Sequence, residues 1–108
     1  MHLLSRLEEA ILIAIWMLED NAYGVRINKE VSKSLKKNYS LGSLYFTLDQ
    51  LYKKGLVTKN SGNPTPERGG RRKTYYHLTQ QAKQELQAVR EHQQSLWEGV
   101  RDFVEDTK

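Results

Sequence analysis

The 108-residue sequence predicts a mainly α-helical domain with one β-hairpin, followed by a long C-terminal helix. Apolar residues recur at helical spacing in four segments, and two short strand-like runs lie between the third and the fourth. The loop between those runs, Ser61 to Arg71, holds both prolines and three of the seven glycines of the chain. This composition is typical of a hairpin tip.

The first two helices are predicted from their apolar periodicity. A wide apolar face between residues 3 and 18 indicates a first helix that is largely buried. Asn21 or Asp20 can cap a second helix that starts near Tyr23, in which apolar residues recur every fourth position. The other faces of this helix hold five cations, namely Arg26, Lys29, Lys33, Lys36 and Lys37.

The third helix has clear signals at both ends. Ser40 is a good N-cap, the helix runs from Leu41 to Lys54, and Gly55 suits the position after its end. One stripe of this helix is made of leucines, and we expect it to be buried. The opposite, outward side holds Ser43, Phe46, Thr47, Gln50, Lys53 and Lys54. An outward Phe46 is exposed unless another molecule covers it.

The remaining elements are two strands and a fourth helix. The strands are predicted at residues 56–59 and 72–78. Thr79 can cap a helix that reaches about Val104, and its apolar residues have a mean spacing of 3.5 residues, as in a coiled-coil seam. We expect this helix to pair with a second copy, the alternative being that it packs back on its own domain. The predicted dimer interface is Leu3, Leu7, Leu86, Val89, Gln93, Leu96, Trp97, Val100 and Phe103.

Positive charge is concentrated in the middle of the chain. Residues 1–25 and residues 84–108 each have a net charge of −3, whereas residues 26–83 have a net charge of +10. A basic centre between acidic ends suggests one surface for a polyanion and other surfaces for other contacts.

Several classes of function are not expected. The chain has no cysteine, so a disulfide, a thiolate nucleophile and a thiolate zinc site are excluded. Its three histidines have no carboxylate at a spacing that fixes a metal site, so we expect no cofactor, no metal and no enzyme activity. The longest apolar run, residues 10–18, is too short to span a membrane, and no secretion signal is present, so a cytoplasmic protein is expected.

Three helices followed by a β-hairpin are the winged-helix arrangement, a variant of the helix-turn-helix. In that arrangement the third helix enters the major groove of DNA and the hairpin lies on the neighbouring backbone. We therefore expect residues 1–79 to form a winged-helix DNA-binding domain and residues 80–108 a C-terminal dimerisation helix. A protein-interaction module of the same fold that never binds DNA is the alternative.

The outward face of the third helix supplies candidates for base contacts. Gln50 can pair with adenine, and Phe46 or Thr47 can contact a thymine methyl group. Ser40 and Ser43 are expected to cap the helix and contact phosphate. Further phosphate contacts are predicted for Lys53, Lys54, Arg71, Arg72 and Lys73.

The last helix also suggests a ligand site. Trp97, with Gln93 one turn before it, can form an aromatic wall for a flat apolar effector at the centre of a dimer. The alternative is that Trp97 is an ordinary core or interface residue.

Short motifs along the chain resemble the PadR family of bacterial transcriptional regulators. They are Tyr23-Gly24, the Ser-Leu-Gly-Ser-Leu-Tyr run at residues 40–45, Gly55-Leu56-Val57, and Gly-Gly-Arg-Arg-Lys at residues 69–73 followed by Tyr-Tyr-His-Leu-Thr at residues 75–79. The resemblance covers about residues 8–104, and the short last helix is similar to that of the smaller subfamily with a single C-terminal helix.

The resemblance implies a homodimeric repressor that binds operator DNA and is released by a small, often aromatic, molecule. It places Tyr23, Ser40, Ser43 and Tyr45 near DNA and the basic triplet at 71–73 on the wing. Three departures stand out. Leu41 and Phe46 replace common prolines, Ala82 replaces a common glycine, and the drug-contacting tryptophan of some members corresponds to a position near Gln93.

Overall fold

The computed structural model describes residues 4–62 and 73–100. Four helices, α1 to α4, and two strands, β1 and β2, follow one another in the predicted order, so the predicted fold class is confirmed. Their bounds are α1 Arg6–Leu18, α2 Gly24–Leu35, α3 Leu41–Lys53, β1 Val57–Ser61, β2 Thr74–Leu78 and α4 Gln80–Trp97.

Helix α1 starts at a capping box formed by Ser5 and Glu8. The Ser5 hydroxyl accepts a hydrogen bond from the backbone N–H of Glu8 at 3.1 Å, and the Glu8 carboxylate accepts one from the Ser5 N–H at 2.9 Å. Two unpaired donors at the helix terminus are thereby satisfied. The predicted interface residue Leu3 lies outside the described residues, and Leu7 packs against the core of its own chain.

The predicted cap of α2 is wrong. Asp20 and Asn21 lie in a short 3-10 turn, Glu19–Asn21, and the N-cap is Tyr23, whose side chain makes no capping bond. The reason is a contact from outside the helix. Tyr23 has an extended backbone and forms an isolated bridge with Tyr75 of β2, so the chain is extended at this residue just before it turns into α2.

Helix α3 begins and ends as predicted. The Ser40 hydroxyl accepts a hydrogen bond from the Ser43 N–H, and Gly55 has φ +78°, the left-handed conformation that favours glycine after a helix. Its leucine stripe, Leu44, Leu48 and Leu51, is fully buried. This burial leaves the opposite side of α3 facing away from the core.

Strands β1 and β2 pair antiparallel, with Val57 opposite Leu78 and Ser61 opposite Thr74. Beyond the last pair the Gly62 N–H donates to the Lys73 carbonyl at 2.7 Å, and on the other side of β2 the Tyr76 N–H donates to the Ala22 carbonyl at 2.8 Å. The hairpin is therefore fixed to the chain that leads into α2. Arg71, Arg72 and most of the predicted loop lie outside the described residues.

Helix α4 is shorter than predicted. Thr79 caps it as expected, but it ends at Trp97 rather than near Val104. Gly99 follows with φ +78°, a conformation in which the helix does not continue. Val100 therefore lies beyond the helix, and Phe103 lies outside the described residues.

The first half of α4 packs on its own domain. Ala82 is buried, Leu86 packs against the core, and Val89 is half-buried, whereas residues 91–100 are exposed. Leu86 was expected in the dimer interface. Because the core of its own chain already covers part of this side chain, less of it can contact a second copy.

A single ion pair connects the start of α1 to the end of α3. The Lys54 ammonium contacts the Glu8 carboxylate, of which only 10% is exposed. Burial by itself would raise the pKa of Glu8, but hydrogen bonds from Lys54 and Ser5 and the charge of Lys54 together hold it below its ordinary value. Lys54 was predicted on the outward face of α3, and that placement is wrong because its side chain turns towards α1.

Replacing Lys54 tests this ion pair. Lys54→Met should lower the free energy of unfolding by about 2 kcal/mol at neutral pH, because it leaves the buried Glu8 carboxylate without its charged partner. In the unaltered protein the lowered pKa means that the pair stabilises the fold at neutral pH, and that this contribution is lost as the pH falls through the pKa of Glu8. Urea unfolding from neutral to acidic pH should therefore show the two proteins converging as the pH is lowered.

Lys53→Met is the matched control, because Lys53 forms an exposed pair with Asp49 within the same helix. It should change stability by less than about 0.5 kcal/mol. A Lys54→Met effect that stays constant as the pH falls would contradict the role given to Glu8.

Candidate nucleic-acid interface

The outward face of α3 presents an uncovered aromatic side chain. Phe46 is 68% exposed, and Tyr45 beside it is 44% exposed. Thr47 and Gln50 are half-buried, and the Thr47 hydroxyl donates to the Ser43 carbonyl at 3.0 Å. Phe46 is therefore the apolar side chain on this face that a neighbouring molecule can reach most fully.

The N-terminus of α3 carries two linked hydroxyl groups. Ser40 Oγ donates to Ser43 Oγ at 3.1 Å while it accepts from the Ser43 backbone N–H. Both serines are exposed, and the positive end of the helix dipole lies beside them. This arrangement suits an anionic group such as a phosphate.

Helices α2 and α3 approach each other closely at Gly24. A Cβ atom at this position would collide with the Tyr45 ring. Glycine therefore allows the first turn of α2 to lie against the Tyr45 side chain, which brings the start of α2 and the outward face of α3 together. Tyr23 lies next to this contact.

Aromatic contacts hold the end of the paired strands that leads into the connecting loop. The Lys73 ammonium lies 3.9 Å from the centre of the Tyr23 ring, and the Tyr23 and Tyr75 rings make an edge contact at 5.7 Å. A Cβ atom at Gly62 would collide with the Tyr75 ring. Lys73 is thus fixed through its backbone by Gly62 and through its side chain by Tyr23.

Cations near the end of α3 have carboxylate partners. Lys53 lies 3.1 Å from Asp49, Lys59 lies 3.9 Å from the same carboxylate, and Lys54 pairs with Glu8. Lys53 remains largely exposed. Its positive charge is therefore accessible but partly compensated by Asp49.

A buried tyrosine lies beneath this surface. Tyr76, in the middle of β2, is buried, and burial raises the pKa of its phenol, with smaller contributions from Tyr45 and Asp49. The phenol is accordingly un-ionised at neutral pH.

The predicted effector residues are not brought together in one cleft. An open cleft of about 530 Å³ between α1 and α4 is lined by Gln93, Trp16, Leu86 and Lys83, but not by Trp97. Both Gln93 and Trp97 are exposed. The tryptophan beside this cleft is Trp16, for which the sequence predicts no site.

Other chemistry has little support in the described ranges. No group of three His, Cys, Asp or Glu side chains among residues 4–62 and 73–100 could hold a metal ion. His77 forms an exposed contact with Asp20 at 3.2 Å. No helix in the described part of the chain is both long and apolar enough to cross a bilayer.

Comparison with known proteins places this geometry in a family. The model of the transcriptional regulator PadR-like family matches residues 11–88. Comparison with curated proteins gave no match.

Solved structures are similar over most of their length. The protein hsRosR-S1, solved as a complex, is 26% identical with a TM-score of 0.72, over 89% of this chain and 78% of its own. A PadR family regulator from Clostridium difficile R20291 is 27% identical with a TM-score of 0.60, over 85% of this chain and 92% of its own.

A PadR-like regulator from Bacillus cereus shows the same fold at 24% identity and a TM-score of 0.70, over 87% of this chain and 86% of its own. The arrangement of helices and hairpin is thus shared with proteins that are described as transcriptional regulators.

The contact between Tyr23 and Lys73 can be tested by a double-mutant cycle. Combining Tyr23→Leu with Lys73→Met should give a coupling of about 0.5–1 kcal/mol in the free energy of unfolding, because a cation over an aromatic face is worth about that much at an exposed site. Tyr23→Phe is the matched control, since it keeps the ring and should keep the coupling. Additive effects of Tyr23→Leu and Lys73→Met would contradict the contact.

Proposed function

Since the chain belongs to the PadR-like family of transcriptional regulators, we propose that it binds duplex DNA as a homodimer and represses transcription until a small molecule releases it. The observation that supports DNA binding most strongly is the exposed Phe46 on α3, on the side opposite the buried leucine stripe. In a winged helix that side of the third helix enters the major groove.

Base readout is assigned to α3. Phe46 contacts the methyl group of thymine, and Gln50 pairs with adenine from the next turn of the helix. Thr47 is a weaker candidate for base contact because its hydroxyl already donates to the Ser43 carbonyl. Sequence preference therefore depends chiefly on Phe46 and Gln50.

Phosphate contacts surround this helix. Ser40 and Ser43 present hydroxyl groups at the N-terminus of α3, and Tyr23 and Tyr45 lie beside the start of α2. Lys73 extends the same surface to the hairpin through its contact with Tyr23. Lys53 adds an exposed cation, and Arg71 and Arg72, outside the described residues, continue the wing by sequence. These groups orient the protein on DNA and add affinity without reading sequence.

Dimerisation is supported by apolar surface that the chain leaves uncovered. Leu96 and Trp97 are 62% and 57% exposed at the end of α4, and Val100 follows them. On α1, Trp16 and Met17 are also largely exposed. Exposed apolar side chains of this kind can form an interaction site, and their burial stabilises association by roughly 25 cal/mol per Å². A second copy supplies the matching surface.

The proposed dimer also explains how an effector could release the protein from DNA. Gln93 lines the cleft between α1 and α4, and Trp97 lies about one helical turn further along. Because the two residues do not share a cleft within the described part of one chain, the effector site forms at the dimer contact, where a bound flat apolar molecule changes the separation of the two recognition helices. Binding of the effector then lowers the affinity for DNA, and binding of DNA lowers the affinity for the effector by the same factor.

The competing proposal is a protein-interaction module that does not bind DNA. Fluorescence anisotropy with a labelled random duplex over a salt series separates the two. A DNA-binding protein shows an affinity that falls linearly with salt on logarithmic axes. Absence of binding at low salt would favour the interaction module.

Base readout can be tested by selecting duplexes from a random library. Phe46→Ala and Gln50→Ala should each change the selected sequence, and replacing thymine by deoxyuridine in the selected site should weaken the unaltered protein but not Phe46→Ala. Removal of one base contact costs about 1–3 kcal/mol. Lys53→Ala is the control on the same helix and should weaken all duplexes alike. Selection of the same sequence by all variants would contradict readout by α3.

The dimer can be tested by sedimentation equilibrium. Leu96→Glu should shift the protein towards monomer, because it places a charge in an apolar contact. Ser95→Glu is the control, since Ser95 is exposed on another side of the same turn. A dimer that is unaffected by Leu96→Glu would show that the end of α4 is not the interface.

A further inference from the structure

Helix α2 carries a row of cations on the side that faces away from the core. Arg26, Lys29 and Lys33 follow one another at steps of three and four residues, so they lie along one face of the helix, and Lys37 lies in the turn that follows its end at Leu35. All four are exposed. The opposite side of α2 is buried through Gly24, Ile27 and Val31. We call these four cations the α2 basic face.

The cations of this face differ from those near the end of α3 in having no carboxylate partner among the described residues. Lys53, Lys54 and Lys59 each lie near a carboxylate. Within residues 4–62 and 73–100, no cation of the α2 basic face forms an ion pair. The single acidic residue of α2, Glu30, lies one helical turn from Arg26 and Lys33 and lines the groove between α1 and α2, without forming an ion pair with either of them. The α2 basic face is thus an exposed patch of positive charge whose members form no ion pair with any described residue.

Both ends of the row adjoin the proposed DNA surface. At its start, Tyr23 precedes α2 and holds the Lys73 ammonium over its ring. At its end, the Lys37 ammonium lies 5.3 Å from the centre of the Tyr39 ring, and Tyr39 immediately precedes the Ser40 cap of α3.

Polar contacts fix the second of these junctions. The Asn28 side-chain amide donates to the Tyr39 carbonyl at 2.9 Å, and the Ser32 hydroxyl donates to the Asn28 amide oxygen at 3.0 Å. Ser32 Oγ in turn accepts from the Tyr39 N–H at 3.4 Å. The turn between α2 and α3 is therefore held to the body of α2, which keeps the row in a fixed position relative to the start of α3.

We propose that the α2 basic face binds the phosphate backbone of duplex DNA and supplies more of the electrostatic affinity than the lysines at the end of α3. This proposal rests on the proposed DNA-binding function and adds to it a second contact surface. The partner follows from charge complementarity, because exposed cations that form no ion pair match the regularly spaced phosphates of a duplex. Continuity with Ser40 at one end and Lys73 at the other places the same duplex within reach of both.

The salt dependence of binding to a random duplex tests the proposal. Lys29→Gln combined with Lys33→Gln removes two charges from the middle of the row, and glutamine keeps a similar helix propensity. The slope of log affinity against log salt should fall by about 0.9 for each phosphate that the protein no longer neutralises, so by about 2 for each protomer bound. Lys53→Gln should lower the slope by less than half of that amount, because Asp49 already compensates its charge.

Lys83→Gln combined with Arg90→Gln is the charge-matched control. It removes two cations from α4 and should leave the slope nearly unchanged, while thermal unfolding confirms that every variant is folded. Equal slopes for the α2 pair and the unaltered protein, or equal reductions in the α2 and α4 pairs, would overturn the α2 contact while leaving DNA binding in place. No binding by the unaltered protein at low salt would overturn the proposed function as well.

Discussion

The hydrogen bond from the Tyr76 N–H to the Ala22 carbonyl is the contact on which the proposed surface depends. It attaches the hairpin to the chain just before α2, and the bridge between Tyr23 and Tyr75 follows from it. Through that attachment Lys73 reaches the Tyr23 ring, so the loop end of the paired strands lies beside the start of α2. This backbone contact therefore brings the hairpin and the start of α2 side by side.

The parts of the fold that depend on local chemistry could be predicted from the sequence. Ser40 and Thr79 cap their helices as expected, and Gly55 ends α3, because each of these signals acts within one turn of the chain. The cap of α2 could not be predicted in this way, since Tyr23 takes its conformation from a strand more than fifty residues later. The Ser-x-x-Glu pattern at Ser5 and Glu8 is itself a capping-box signal, so the start of α1 could have been predicted more sharply.

The ion pairs of the candidate site also could not be predicted from the sequence. The sequence identifies Lys53, Lys54 and the cations of α2 equally well, but it does not show which of them have carboxylate partners. Glu8 lies forty-six residues before Lys54, and their pairing depends on how α1 packs across the end of α3. Only the folded chain separates compensated cations from the row on α2. The cleft beside Trp16 could not be predicted from the sequence either, because it forms where α1 packs against α4.

We propose that α2, the outward face of α3 and the hairpin together form one surface that binds DNA. The most direct measurement is a titration of the 15N-labelled protein with a short duplex, followed by the amide resonances. Shifts are expected at residues 23–37, 40–50 and 73–75, with residues 84–97 of α4 unaffected. Shifts confined to α4, or to the end of α3 without the start of α2 and the hairpin, would contradict the proposal.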